Sequence, residues 1–369
     1  MSFKVEQNKF KDAIHKIVSI VDKKNTRPIL AFAHIEAKDN LIDLSATDLE
    51  VSGKISIEAT VDNPLNFCVN AKNLYDIVRE LPEGEITIHQ EDKNLVSISS
   101  GGINFKLLVY EDTEFPHLNF KAEEAGFTIP SELILDVINK TSHAISQDET
   151  RIHLNGLYFH SIDGHLRVVS IDGSRLALVD TGIQLPDSEH LINGMIIPRK
   201  GIGELKKLAE SQLDGVIKLS YNETYIYASS EYHQLSIRLI ARDYPKYQNV
   251  IPSKFAHNIT LDRNALFDAV RRTKIMSDER SNGIKLVLKE NQLIFSANNP
   301  TYGEAKEIIP CEFSGKDIEI GFNARFLVDI LSIFPEGELH CEVNNELSPI
   351  VLKSDQLPNF FSLIMPLKI

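Results

Sequence analysis

The sequence predicts an α+β protein of three repeated domains, each built from two βαβββ units, with helices on an inner face and antiparallel sheets on an outer one. Two such chains are expected to close head to tail into a ring-shaped homodimer. Three observations predict this: a long internal repeat, the same order of hydrophobic periods in every copy, and positive charge gathered on the helices of an acidic chain.

The repeat comes first. Asn70-Ala71-Lys72-Asn73-Leu74-Tyr75-Asp76-Ile77 returns as Asn323-Ala324-Arg325-Phe326-Leu327-Val328-Asp329-Ile330, and Pro82-Glu83-Gly84-Glu85 returns as Pro335-Glu336-Gly337-Glu338, both at an offset of 253. A fainter middle copy reads Pro198-Arg199-Lys200-Gly201-Ile202-Gly203-Glu204-Leu205. Phe10, Asp12 and Ile14 have counterparts in Ile134, Asp136 and Ile138, and in Leu266, Asp268 and Val270. Three copies in 369 residues give 123 each, which is domain size rather than solenoid size. Polar, aperiodic stretches at 121–126 and 253–258 set the expected domains at 1–122, 127–252 and 258–369.

Within a copy the elements follow in order. Phe3-Lys4-Val5 reads as a short strand, and Phe10, Ala13, Ile14, Ile17, Val18 and Val21 recur at the helix period. Asp39-Asn40 makes a turn before an alternating strand over 41–46. Phe67-Cys68-Val69 precedes a second short helix that Leu81-Pro82 ends. Strands over 85–89, 95–99 and 103–109 close the copy.

Composition narrows the class. The chain is 43% hydrophobic and has no apolar run near the ~20 residues of a membrane span. Met1-Ser2-Phe3-Lys4-Val5-Glu6 lacks the charged and apolar regions of a secretion signal. Cys68, Cys311 and Cys341 offer neither a disulfide framework nor a CxxC site, so a cytoplasmic location is expected, away from membranes.

The net charge is −13, with 39 Lys plus Arg against 52 Asp plus Glu. Six helices expected at 6–24, 72–80, 131–146, 199–210, 262–276 and 324–334 hold 17 of the basic and 12 of the acidic residues, so they net +5 and the remainder −18. Helices that face one polyanion explain why the excess falls on one class of element; phosphate contacts of this kind are independent of sequence and sensitive to salt. Geometry then sets the assembly. Six helices packed at about 10 Å enclose a hole of about 9 Å, whereas twelve enclose about 28 Å, enough for a duplex roughly 20 Å across. Two chains are therefore required, with their strands joined across domains so that few edges stay open.

Several stretches carry a resemblance: Ala46-Thr47-Asp48-Leu49-Glu50, Leu154-Asn155-Gly156, Asp172-Gly173-Ser174-Arg175-Leu176-Ala177, Ile197-Pro198-Arg199-Lys200-Gly201, Ala297-Asn298-Asn299-Pro300, Glu319-Ile320-Gly321-Phe322-Asn323 and Met365-Pro366-Leu367. In their order and spacing along a triplicated chain, these resemble the bacterial sliding clamps, the beta subunits of DNA polymerase III. The resemblance spans essentially the whole chain. It implies the DNA-clamp fold, a ring homodimer around double-stranded DNA, and a processivity role without catalysis, cofactor or metal. It also implies several partners: the DNA polymerase III catalytic subunit, an ATP-using clamp loader complex, and other polymerases and repair proteins with clamp-binding peptides.

The resemblance carries over site residues position by position. A peptide pocket between the second and third domains falls on Leu154, Ile171, Gly173, Ser174, Arg175, Leu176, Pro245, Val250, Leu363, Ile364, Met365, Pro366 and Leu367. Arg175 and Lys368 flank it, which suits apolar anchors plus an acidic residue. Ile171 and Ser174 stand where the family often has Thr and His. DNA contacts fall on Lys24, Lys72, Arg79, Gln147, Arg151, Arg199 and Lys200, and charge alone adds Arg27. Ile152 and His153 replace two family tyrosines, leaving Arg151, Gln147 and His153 to act there. The dimer contact falls on Phe105 and Leu107, an edge strand of the first domain, against Ile275 and Met276 of the third.

Two rival classes fit the sequence less well. No HExxH, GxSxG, GxxxxGK[ST] or GxGxxG occurs, and His160-Ser161-Ile162-Asp163-Gly164-His165 reads as a hairpin around a type I′ Asp-Gly turn rather than a catalytic triad. A non-ring protein-binding scaffold leaves the helix charge unexplained.

Overall fold

A computed structural model describes residues 1–22, 27–120, 126–186 and 189–368. Seven α-helices lie among them: α1 (Gln7–Val18), α2 (Ala71–Glu80), α3 (Ser131–Thr141), α4 (Glu189–Asn193), α5 (Arg199–Glu210), α6 (Arg263–Lys274) and α7 (Ala324–Leu331). Six match the expected positions; α4 is a five-residue addition between two strands of the middle copy. Strand, helix and three strands recur twice in each of three copies, as expected.

The helices are shorter than their apolar periods. The α1 stripe of Phe10, Ala13, Ile14 and Ile17 is buried, but the helix stops at Val18. There Ser19 Oγ donates to Lys16 O and to Glu204 Oε2, both at 3.0 Å. At the end of α3, Thr141 and Ser142 hydroxyls bond back to Val137 O (2.7 Å) and Ile138 O (2.6 Å), and the chain tightens into the 3₁₀ turn Ser142–Ala144.

The repeated sequences have a physical purpose. Asn70 Oδ1 caps α2 by accepting from Asn73 N at 3.0 Å, and Asn323, its counterpart, caps α7 by accepting from Arg325 N and Phe326 N. Gly84 and Gly337 both take positive φ (+126° and +118°), and their carbonyls accept the Gln7 and Arg263 amides that begin α1 and α6, each at 2.8 Å. Gly215 O does the same for Ser131 at 2.9 Å. The expected Asp163-Gly164 turn has φ of +52° and +78°, as a type I′ hairpin requires.

Two compact units emerge. The first comprises Met1–Leu135 and Lys200–Leu239. Its 13-stranded sheet joins first-copy to middle-copy strands where His233–Arg238 pairs antiparallel with Val51–Glu58. The second comprises Asp136–Arg199 and Ile240–Ile369, with an eight-stranded and a four-stranded sheet. Its eight-stranded sheet joins middle-copy to third-copy strands where Arg175–Gln184 pairs with Phe360–Ile364. Sheets therefore do run across copies, and the middle copy contributes strands to both units. No helix among the described residues is long and apolar enough to cross a membrane.

Candidate functional site

One face of the eight-stranded sheet builds the first candidate site. Strand register aligns Val169 with Leu178 and Phe361, and aligns Ile171 with Leu176, Leu363 and Val351. Because strand side chains alternate, these stand together on one face. Val169, Leu176, Leu178, Val351 and Leu363 are buried there under Tyr247, with Tyr158, Ile171, Tyr244, Ile251, Phe255, Phe361 and Met365 half-buried around them.

The expected pocket residues divide into floor and rim. Leu154, Leu176 and Leu363 are buried and form supporting core. Ile171, Met365, Pro366 and Leu367 are half-buried, while Gly173, Ser174, Pro245 and Val250 are exposed. Ile364 departs from expectation. Alternation sends it to the opposite face, where it lines an apolar void with Ile259, Leu327 and Phe322. The terminal segment is pinned on two sides: Met365 N donates to Ser174 O and Leu367 N to Gly321 O, each at 2.7 Å. Gly173 has φ +91°, a backbone conformation that favours glycine.

Arg175 is a second correction. Its guanidinium is 8% exposed, bonded to Asp172 Oδ2 at 2.9 Å and Asp329 Oδ2 at 2.7 Å, and stacked 4.2 Å over the Phe326 ring. A buried cation with two carboxylate partners is a structural brace and does not offer charge to an acidic ligand. Lys368 remains exposed. Sequence reasoning missed Tyr158, Tyr244 and Tyr247; the aromatic run Tyr244-Pro245-Lys246-Tyr247 beside two expected pocket residues was the available signal.

The basic residues are unequal. Lys24 lies outside the described residues. Arg27, Gln147 and Arg151 are exposed, and His153 is half-buried in the turn Ile152–Leu154. Arg151 lies 3.5 Å from Asp148 and also reaches Asp172 O at 3.4 Å. Lys72 is exposed and pairs with Asp76 one turn along α2; Arg79 lies over Tyr75 at 5.6 Å and bonds Glu80 at 3.2 Å. Arg199 and Lys200 are straps as well as charges. Arg199 Nη2 donates to Ile145 O (2.8 Å) and Ser146 O (2.9 Å), and burial, then the Arg175 charge, lower its pKa. Lys200 Nζ donates to Ile20 O at 2.8 Å and to the Asp48 carboxylate.

Among the open strand edges of the described residues, two concern the expected dimer contact. Ile103–Tyr110 pairs along its length with Leu95–Ser100, but on its other side only Val109 and Tyr110 find partners, leaving 103–108 free. Gly303–Pro310 ends the four-stranded sheet. Phe105 is 38% exposed and Ile275 73%, while Leu107 and Met276 are half-buried. Exposed Ile103, Leu108 and Ile308 add apolar surface that sequence reasoning did not single out.

Comparison with known proteins finds matches over the whole chain. Family models of the DNA polymerase III beta subunit match in series: the N-terminal domain over 1–119, the central domain over 128–246 and the C-terminal domain over 248–368. The beta sliding clamp of Caulobacter vibrioides is 30% identical, covering all of both chains, and that of Escherichia coli K12 is 28% identical over all of both. The crystal structure of the DNA polymerase III beta subunit from Pseudomonas aeruginosa superposes with a TM-score of 0.93 at 28% identity, again over the whole of both chains.

Proposed function

This chain belongs to the DNA polymerase III beta-subunit family, the beta sliding clamps, and from that premise we propose that two copies close head to tail around duplex DNA. The family's members are processivity factors and not enzymes. The observation that carries the ring is the pair of open edges. Strand 103–108, with Phe105 and Leu108, and strand Gly303–Pro310, with exposed Ile308 and tied to α6 by the Arg272–Glu307 ion pair, are different surfaces. Different surfaces that match each other make a heterologous contact, which closes when the rotation allows and covers both of these edges.

In this reading the domains are 1–122, 127–252 and 258–369. Lys24, Arg27, Lys72, Arg79, Gln147, Arg151, His153, Arg199 and Lys200 face the phosphates. The rim of Ile171, Gly173, Ser174, Pro245, Val250, Met365, Pro366 and Leu367 receives the apolar end of a peptide from the polymerase III catalytic subunit or from other polymerases and repair proteins. A clamp loader opens the ring, and the work is done in the cytoplasm. Loading onto nicked circular plasmid tests the proposal. A ring stays on the circle through a salt wash and is released when the plasmid is linearised. Retention that ignores DNA ends would instead indicate a non-ring scaffold.

A further inference from the structure

The segment 244–251 crosses the open face of the eight-stranded sheet and supplies one wall of the candidate pocket, through Pro245 and Val250. Backbone bonds within it are local: Tyr247 N to Pro245 O at 2.7 Å, Asn249 N to Lys246 O at 3.1 Å and Ile251 N to Gln248 O at 3.3 Å. The sheet grips it through side chains. Tyr247 is 1% exposed, and its hydroxyl lies 2.9 Å from His160 Nε2 and 3.4 Å from Arg167 Nη1.

Those two partners are neighbours by register. His160 pairs across to Arg167, and Arg167 to Asp180, so three adjacent strands present one row. Asp180 holds Arg167 with two bonds, at 2.5 and 2.9 Å. Tyr158 stacks on His160 at 4.6 Å and on Tyr244 at 4.4 Å, so the same row also touches the start of the segment. A guanidinium only donates, so the Tyr247 oxygen accepts from Arg167. Burial, helped by the Arg167 charge, lowers the His160 pKa to about 4, so a neutral imidazole shares a hydrogen bond with the Tyr247 hydroxyl.

We propose that Tyr247 is a positioning residue for partner peptides: its hydroxyl, clamped by the His160–Arg167–Asp180 row, holds the Tyr247–Val250 turn so that Pro245 and Val250 form a preformed wall. This rests on reading the rim as the peptide pocket. A site held ready by its supporting side chains binds without the cost of ordering a loop, and a wall present only part of the time lowers apparent affinity by the fraction present.

The test uses the full-length dimer and a labelled synthetic C-terminal peptide of the polymerase III catalytic subunit. Tyr247→Phe should weaken binding about tenfold while dimer mass and cooperative melting stay unchanged. Val250→Ala should weaken it too, and the double variant should be little worse than Val250→Ala alone, because Tyr247 acts through that wall. Asp180→Asn, which loosens Arg167 from the solvent side, should weaken binding in the same direction by less. Nitrogen NMR of His160 should show a neutral imidazole whose Nε2 shift moves in Tyr247→Phe, a readout that general loosening would not give. Equal binding by Tyr247→Phe and wild type, or additive losses in the double variant, overturns the inference alone. A wild-type dimer that does not bind the peptide overturns the pocket reading, and the inference with it.

Discussion

Lys72 and Lys200 look alike in the sequence, each a lysine near the start of a helix, yet their surroundings separate them. Lys72 pairs in solvent with Asp76, an interaction of low value. Lys200 ties Ile20 O and Asp48, whose carboxylate is largely buried. Lys72→Glu should therefore melt like wild type while weakening DNA retention and flattening its salt dependence by about one phosphate contact. Lys200→Glu should lose about 2 kcal/mol of stability in denaturant titration, because a buried acceptor and a buried carboxylate lose their donor. Equal melting of the two variants would refute the distinction. Three histidines make stability depend on pH. Burial, helped by Arg175, Arg167 and Lys16, holds His143 and His160 at about 4 and His233 at about 3. The unfolded chain protonates them near 6.5, so it binds more protons than the folded chain below that pH. Stability is full above about pH 6.5 and falls as the pH drops toward 4, by about 2 kcal/mol per histidine at pH 5. Thermal melts from about pH 7.5 to pH 5 should show that fall, and a flat profile would contradict neutral buried imidazoles.

Elements follow local rules until a neighbour intervenes. The Asn caps of α2 and α7 and the positive-φ glycines after these helices were legible as a repeat, because caps and turns depend on residues a few positions apart. The end of α1 was not: its apolar period runs on to Val21, but the Ser19 hydroxyl is taken by Glu204 from 185 residues away. Arg175 failed for the same reason. Its motif suggested a rim cation, and only the arrival of Asp329 and Phe326 on α7 makes it a brace. The terminal segment joins two elements, bonding Ser174 and Gly321. Deleting residues 365–369 should remove Met365, Pro366 and Leu367 from the rim and abolish peptide binding, with the dimer mass retained in light scattering. A truncated protein that bound the polymerase peptide normally would count against the rim.

At the scale of the whole molecule, the proposed ring rests on open edges and helix charge. Ile275 is exposed at the end of α6, beside an open sheet in which Ile308 is also exposed. Ile275→Asp with Met276→Asp should give a folded monomer by sedimentation, since an unpaired charge in an apolar contact is costly. A dimer that persisted would place the interface elsewhere. By itself the sequence determined the triplication, the twofold βαβββ order and the helices' positive bias, because periods, caps and charges are written in neighbouring residues. The tertiary structure alone decided which cations are spent on internal bonds, which face Ile364 takes, and that a tyrosine, a histidine, an arginine and an aspartate meet behind the pocket wall. Those outcomes depend on pairings between strands far apart in the chain, whose register no local pattern specifies.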